Sequence, residues 1–320
     1  MRQSITILTY LITILLLRDI MGKDQLKVDS RGLEQRSLRK MEFPFTAGIV
    51  RVSEYTDRRF CHHWHEDPEF TVILEGEMFY QVNDRILHLK AGQGVFVNSN
   101  MLHSGWNETD ECVYLPLNFC PTMLYGESNR RMKEKYVDPI IKSQNLPYLV
   151  FDPAKSEAQE RIISALSEAH ILYKEKKELH EIKIQRLLLE IWELMLPEAL
   201  EAIRAETDDS AVKSVVRVKK AIDYIEANFA EHITLDELAR ACGLSRSEFC
   251  RCFKRIMNDT PMEYLNKTRI RKSLPLLLSR DYSVTQTAML SGFSGSSYFS
   301  ECFRKYMFCS PLEYIKNSKS

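Results

Sequence analysis

The stretch CHHWHEDPEF, residues 61–70, places three histidines and three acids within ten positions. Imidazole and carboxylate groups ligate divalent transition metals, move protons and hold polar ligands. Residues two apart on a strand point to one face, so His63 and His65 would converge. Glu69 follows across a bend at Pro68. Three uses stand open: a metal centre, which could serve catalysis; contacts to a bound small molecule; or polar groups satisfied within a structural core.

The elements around this stretch read as short strands. Residues 44–120 alternate apolar and polar positions and are cut by turn signals. Asn83-Asp84 joins two runs as a hairpin, and Lys90-Ala91-Gly92 makes a second turn. Many short strands with close turns predict a sandwich or small barrel. From 156 to 196 the period becomes helical. One stripe is Ile162, Ile163, Leu166, Ala169, His170 and Tyr173; a second is Ile184, Leu187, Leu188, Ile191, Leu194 and Met195. Such helices would cover the open face of the barrel or pair with a second subunit. Pro197 is expected to end the second helix, and the acidic run 201–213 reads as a linker.

The chain has 320 residues, 44% hydrophobic and 28% charged, as in a folded soluble protein of two or three domains. Its zero net charge hides an asymmetry. Residues 213–320 hold 18 Lys/Arg against 11 Asp/Glu, which points to a polyanionic partner for that third. The eight cysteines fall inside apolar helical patterns and read as reduced thiols. Cys250-x-Cys252 lacks a second pair at zinc-site spacing. Residues 5–17 are apolar or Thr/Tyr, short for a membrane span and without a cleavage site behind them. A membrane or signal segment, a disordered tail and an untranslated upstream extension compete there. The last is preferred, with translation starting at Met21.

The basic third contains a repeat. ITLDELARACGLSRSEFCRCFKRIMNDTPMEYL, starting at Ile233, matches YSVTQTAMLSGFSGSSYFSECFRKYMFCSPLEYI, starting at Tyr282. Ala239 and Gly243 align with Ala288 and Gly292. After one inserted residue, Phe253, Pro261 and Tyr264 align with Phe303, Pro311 and Tyr314. Capping boxes are expected at Thr234/Glu237, Ser283/Gln286, Ser245/Glu248, Thr260/Glu263 and Ser310/Glu313, with Ser294 opening the counterpart of the Ser245 helix. A short helix, a Gly turn at Gly243 or Gly292 and a second helix make helix-turn-helix units. In the first, Phe249, Cys252, Phe253 and Ile256 face inward, opposite Ser247, Cys250, Arg251 and Lys254. In the second, Phe299, Cys302, Phe303 and Tyr306 face inward, opposite Ser296, Ser297, Ser300, Glu301 and Arg304. Small polar and basic faces suit a DNA major groove.

On these motifs, residues 215–317 resemble the DNA-binding domain of the AraC family of bacterial transcription regulators. The resemblance implies seven helices and two helix-turn-helix units joined by a long helix. It assigns base contacts to Arg246, Ser247, Cys250 and Arg251, and to Ser296, Ser297, Ser300 and Glu301. The sequence departs from the family in three places. The usual Gly before each Ser/Thr-Pro is replaced, with Asn258 and Phe308 near it; the connecting helix (262–280) carries Pro275; and acidic Glu301 stands where a basic residue is frequent.

The histidine stretch has a matching resemblance. His63-x-His65-x3-Glu69-x6-Gly76 is similar to the first cupin signature, and Gly92-x5-Asn98-x-Asn100-x2-His103-x3-Asn107 to the second, with Asn98 and Asn100 replacing the usual Pro and Gly. This brings His103 in from a neighbouring strand. His63, His65, Glu69 and His103 would suit Mn, Fe, Ni or Zn, or would contact a polar effector without metal. Trp106 is added to the pocket as a ring that could stack on a sugar near its mouth.

The combined expectation is an α+β multidomain protein. It has an N-terminal extension (1–40), a cupin-like sensing barrel (41–150), a helical dimerisation or coupling segment (151–197), a linker (198–214) and an all-α double helix-turn-helix domain (215–320). It would be a cytoplasmic, homodimeric regulator without catalytic residues. Its partners would be double-stranded operator DNA, a small effector related to carbohydrate, and RNA polymerase if it activates; no stable membrane association is expected. No cofactor is required, though a divalent transition metal could occupy the pocket. The rival reading is a metal-dependent cupin enzyme fused to a DNA-binding domain.

Overall fold

The computed structural model describes residues 38–55, 58–107, 111–205 and 209–317. Nearly all of the N-terminal extension lies outside them. The chain forms two compact units that divide between Asp209 and Ser210. Among the described residues, no helix is long and apolar enough to cross a membrane.

The first unit has ten strands among the described residues. They are β1 (Phe45–Ala47), β2 (Val50–Arg51), β3 (Arg59–His63), β4 (Glu69–Glu75), β5 (Glu77–Val82), β6 (Arg85–Lys90), β7 (Gly94–Val97), β8 (His103–Trp106), β9 (Val113–Phe119) and β10 (Tyr148–Phe151). One sheet runs β1-β9-β4-β7-β10, with β2 on β9; the other runs β3-β8-β5-β6. The hairpin at Asn83-Asp84 forms as expected, Asn83 taking φ +54°.

Alternation along each strand sorts side chains between two cores. On β4, Phe70, Val72 and Leu74 face outward onto helices, while Ile73 faces between the sheets with Tyr80, Val97 and Tyr114. The covering helices are α1 (Glu157–Glu175) and α2 (His180–Arg204). Ser156 caps α1 by accepting from the Gln159 amide. The Trp192 indole on α2 packs edge-on against Phe96 and Phe119 and donates to the Tyr136 carbonyl at 2.9 Å.

Pro197 does not end the second helix. An interior Pro sacrifices a backbone bond, at about 3 kcal/mol, but the apolar stripe continues past it through buried Ala199 and partly buried Ile203. Packing of the last turns therefore carries α2 to Arg204. The expected 198–214 linker is correspondingly helical on both sides, since the next helix begins at Asp209.

His170 on α1 is buried, and its Nδ1 has no hydrogen-bond partner among the described residues. Burial, aided by Lys174, pushes its imidazole down to about 4. Above pH 6.5 the ring is neutral both folded and unfolded. Between 6.5 and 4 the unfolded chain takes up a proton that the folded chain refuses, so stability falls as pH drops through that window. His170→Leu is expected to flatten this acid limb, measured as urea midpoints between pH 7 and 4. An unchanged limb would show that the ring is solvated.

Among the described residues the second unit is all helical: α3 (Asp209–Asn228), α4 (Leu235–Ala241), α5 (Arg246–Met257), α6 (Pro261–Ser279), α7 (Val284–Leu290), α8 (Ser296–Met307) and α9 (Pro311–Asn317). These are the seven helices implied by the resemblance. Capping boxes close at Thr234, Ser245, Thr260 and Ser283, and Ser310 and Glu313 exchange the same pair of bonds. The repeat recurs in the packing. Phe249, Phe253 and Tyr264 stack edge-on at 5.6 and 5.7 Å, as do Phe299, Phe303 and Tyr314 at 5.6 and 5.7 Å.

One cap differs from expectation. The N-cap of α8 is Gly295, which makes no side-chain cap bond, rather than Ser294. The residue inserted between the copies falls before this point, so the position matching Ser245 is 295. Asn258 and Phe308 both take left-handed geometry, φ +57°, at the ends of α5 and α8. Left-handed geometry costs a residue with Cβ roughly 1–2 kcal/mol, and Asn less than most. Phe308 is 75% exposed, so little packing offsets that cost. Phe308→Asn should raise the stability of this unit by about 1 kcal/mol, read from thermal melts; a loss would mean that the ring packs in solution.

Candidate ligand pocket and DNA-reading surface

The polar cluster sits between the two sheets. His63 is the last residue of β3 and pairs in register with His103, the first of β8. Each imidazole turns its Nδ1 toward a backbone carbonyl: His63 to Cys61 at 3.0 Å, His103 to Met101 at 2.9 Å, and His65 to Asp67. A carbonyl only accepts, so each Nδ1 carries the hydrogen. In a neutral ring Nε2 then holds the lone pair, the arrangement that orients histidine metal ligands. One ligating atom from each of the three rings lies within 4.8 Å of the others. The His63 and His103 ring centroids are 4.1 Å apart. Burial, reinforced by neighbouring imidazoles, holds His63 well below its ordinary pKa; burial lowers His103 to about 4. The His103 Nε2 has no hydrogen-bond partner among the described residues.

Glu69 stands apart from that trio. Its Oε1 accepts from the Thr71 hydroxyl at 2.8 Å and the Tyr80 hydroxyl at 2.9 Å, and its Oε2 from Asn118 Nδ2 at 3.0 Å. Burial alone would raise its pKa; the His65 contact and the nearby imidazoles hold it below the usual carboxylate range. The His65 Nε2 lies 3.5 Å from Oε2. Both nitrogens of His65 thus face acceptors, and the pair is satisfied when a proton or a cation sits between them.

The four expected ligands therefore separate into a converging histidine trio and a carboxylate fixed by its own donors. The second signature closes through its two substitutions. Asn100 adopts φ +61°, doing the work of the usual Gly. Asn98 Nδ2 donates to the carbonyls of Ile140, Ser143 and Leu146.

Trp106 does not join the polar cluster. It is three residues from His103 on one strand, and odd spacing turns it to the opposite face of the sheet. There it stacks on Phe79, which stacks on His88, and the Arg59 guanidinium lies 4.5 Å over its ring. Thr71, Tyr80 and Asn118 join Glu69 in the polar cluster, and the sequence did not point to them there. Thr71 was readable as the same-face neighbour of Glu69. Asn118 enters only through the register of β4 on β9, where it pairs with Glu69.

In the second unit, Gly243 and Gly292 make the turns at φ +65° and +83°. On α5, Arg246, Ser247, Arg251 and Lys254 are exposed and Cys250 is half-buried. On α8, Ser297, Glu301 and Arg304 are exposed, while Ser296 and Ser300 are half-buried. Phe249, Phe253, Phe299 and Phe303 are fully buried beneath these faces. Tyr298, not expected on the outer face, is exposed, with its hydroxyl accepting from Asn266 Nδ2 at 2.8 Å.

Comparison with known proteins agrees with both halves. Residues 47–211 match the family described as AraC-like ligand binding domain, and residues 238–317 match a helix-turn-helix domain. The chain is 32% identical over 273 residues to the HTH-type transcriptional regulator YdeC of Bacillus subtilis (strain 168), covering 85% of this chain and 91% of that protein. It is 33% identical over 259 residues to the HTH-type transcriptional activator RhaS of Escherichia coli (strain SE11), covering 75% and 82%. Among solved structures it is similar to ToxT from Vibrio cholerae O395, at 15% identity and a TM-score of 0.36, covering 85% of this chain and 96% of that one.

Proposed function

The chain belongs to the AraC family of HTH-type transcriptional regulators, and from that premise we propose that α5 and α8 read successive major-groove segments of an operator under control of a small effector held between the sheets. The observation that carries the reading is the repeat itself. Two helices, each seated on a buried Phe pair, present small polar and basic side chains outward. Phosphate contacts from such a face give affinity, and base-edge contacts give sequence preference. Selection of bound sequences from random duplex DNA tests it. Enrichment of a two-segment site supports the reading; recovery of unenriched DNA with only salt-dependent affinity would overturn it.

The pocket favours an effector rich in hydroxyl groups, such as a carbohydrate derivative. The imidazole lone pairs, that of His103 Nε2 above all, are hydrogen-bond acceptors, which hydroxyls match. A second copy of the chain is the expected partner of α2, where Ile182 and Leu189, seven residues apart, are both exposed. RNA polymerase is the further partner if this protein, like the relative named an activator, raises transcription.

The trio also favours a divalent transition metal. Three converging imidazole nitrogens, one without a hydrogen-bond partner among the described residues, suit Zn, Ni, Fe or Mn. His63, His65 and His103 would hold it, and the ion would supply a Lewis-acidic anchor for an oxygen-bearing effector. Elemental analysis of protein purified without chelator decides between the two forms of the pocket. Close to one equivalent of one metal supports the ion; less than about a tenth of an equivalent leaves direct contacts to the effector.

A further inference from the structure

We infer that Arg269 is a positioning residue that locks the two helix-turn-helix units into one rigid ruler, so that the spacing between the two operator segments is itself read. This rests on the DNA-binding reading above and adds a residue, and a property of the DNA, to it.

Arg269 lies on the connecting helix α6 and is only 9% exposed. Its Nε donates to the Phe229 carbonyl at 2.8 Å and its Nη2 to the Glu231 carbonyl at 2.7 Å. Those carbonyls follow the end of α3 and lead into the first helix-turn-helix unit. Carbonyls at a helix end lack intrahelical partners and carry the negative pole of the helix, so a guanidinium fork fits two of them at once. The same guanidinium sits 5.8 Å over the Phe293 ring, in the turn of the second unit. Phe293 in turn packs edge-on against Phe299 of α8 at 5.2 Å. One buried cation therefore touches the base of the first unit and the turn of the second.

The backbone makes the same contact directly. A Cβ on Gly292 would stand 2.5 Å from the Phe229 carbonyl oxygen and 2.9 Å from Arg269 Nε. The turn of the second unit is thus pressed against the chain that supports the first. Neighbouring residues of α6 add to the brace. Thr268 and Arg271 donate to Glu226 of α3 at 3.2 and 2.6 Å, and Asn266 donates to Tyr298 of α8.

The α6 residues that make these contacts, 266 to 271, precede Pro275, which is exposed on the last turns of α6. A bend there lies between Arg269 and the second unit, and the contacts of Gly292, Phe293 and Tyr298 hold across it. With both units fixed to one buried group, α5 and α8 cannot rotate independently to follow a shifted site. An operator with the right bases in the wrong helical phase would lose one of its two contacts.

The test uses the full chain, the operator selected as above, the same operator with one base pair inserted between its segments, and a duplex carrying the first segment alone. Wild-type protein is expected to lose about tenfold or more on insertion. Arg269→Met removes both donors and the charge at similar length. It should bind the native operator more weakly and the inserted and single-segment duplexes as before, so the insertion penalty shrinks to less than about threefold. Arg269→Lys, which keeps the charge but not the two-pronged fork, should shift the penalty in the same direction by less and serves if Arg269→Met fails to fold. Two results overturn the inference: an insertion penalty unchanged in the folded variants, or an equal loss on all three duplexes, which marks a merely structural role. A wild-type protein that selects no operator sinks the DNA reading instead.

Discussion

Glu69→Ala is expected to lower the stability of the N-terminal unit by about 3–5 kcal/mol, as when one member of a buried charged network is deleted. The carboxylate is buried and accepts from Thr71, Tyr80 and Asn118. Truncation leaves those buried donors without an acceptor, and each unsatisfied group costs about 1–3 kcal/mol. Urea denaturation followed by circular dichroism gives the value. Glu69→Gln keeps the volume and one acceptor and should lose clearly less. A change below about 1 kcal/mol in Glu69→Ala would mean that water reaches the cluster and that the bonds are not structural. The arms also bear on the pocket: a carboxylate engaged three ways is a scaffold for the histidine trio before it is a ligand.

Arg251→Ala is expected to weaken operator binding by about 1–3 kcal/mol, or roughly 5- to 150-fold, and to relax preference at the base it contacts. Arg251 lies one turn beyond Ser247 on the exposed face of α5, above buried Phe249 and Phe253. Lys254, one turn further, serves as the control. Its truncation should weaken binding to all sequences alike and lower the salt slope by about one. Operator affinity left intact in Arg251→Ala would mean that α5 does not enter the groove at this face.

The DNA-binding half was legible because its signals are local. Capping boxes act within four residues, and the apolar faces of α5 and α8 follow helical spacing. Duplication then supplied an internal check that a single copy lacks. The one-residue insertion between the copies moves the second cap from Ser294 to Gly295. The pocket was legible where its residues share a strand, as with His63, or a spacing motif, as with His103. It was not legible where tertiary register makes the contact. Nothing near Asn118 in the chain points to Glu69; the pairing of β4 with β9 does. Trp106 could have been excluded by its odd distance from His103, a signal present but outweighed by its chemistry. Pro197 failed as a helix stop because local propensity is weaker than the burial of Ala199 and the turns that follow.

The outward stack of Trp106 and the buried bond of Trp192 have an optical consequence. The three tryptophans of the chain, at 64, 106 and 192, all belong to the first unit. Intrinsic indole emission therefore belongs to the sensing half, and the DNA-binding half is dark in that channel. Trp106, beneath Arg59 and beside Phe79, would report the outer sheet face. Trp64 is buried and stands between His63 and His65 in the chain. The native protein thus carries its own reporter, with no label needed.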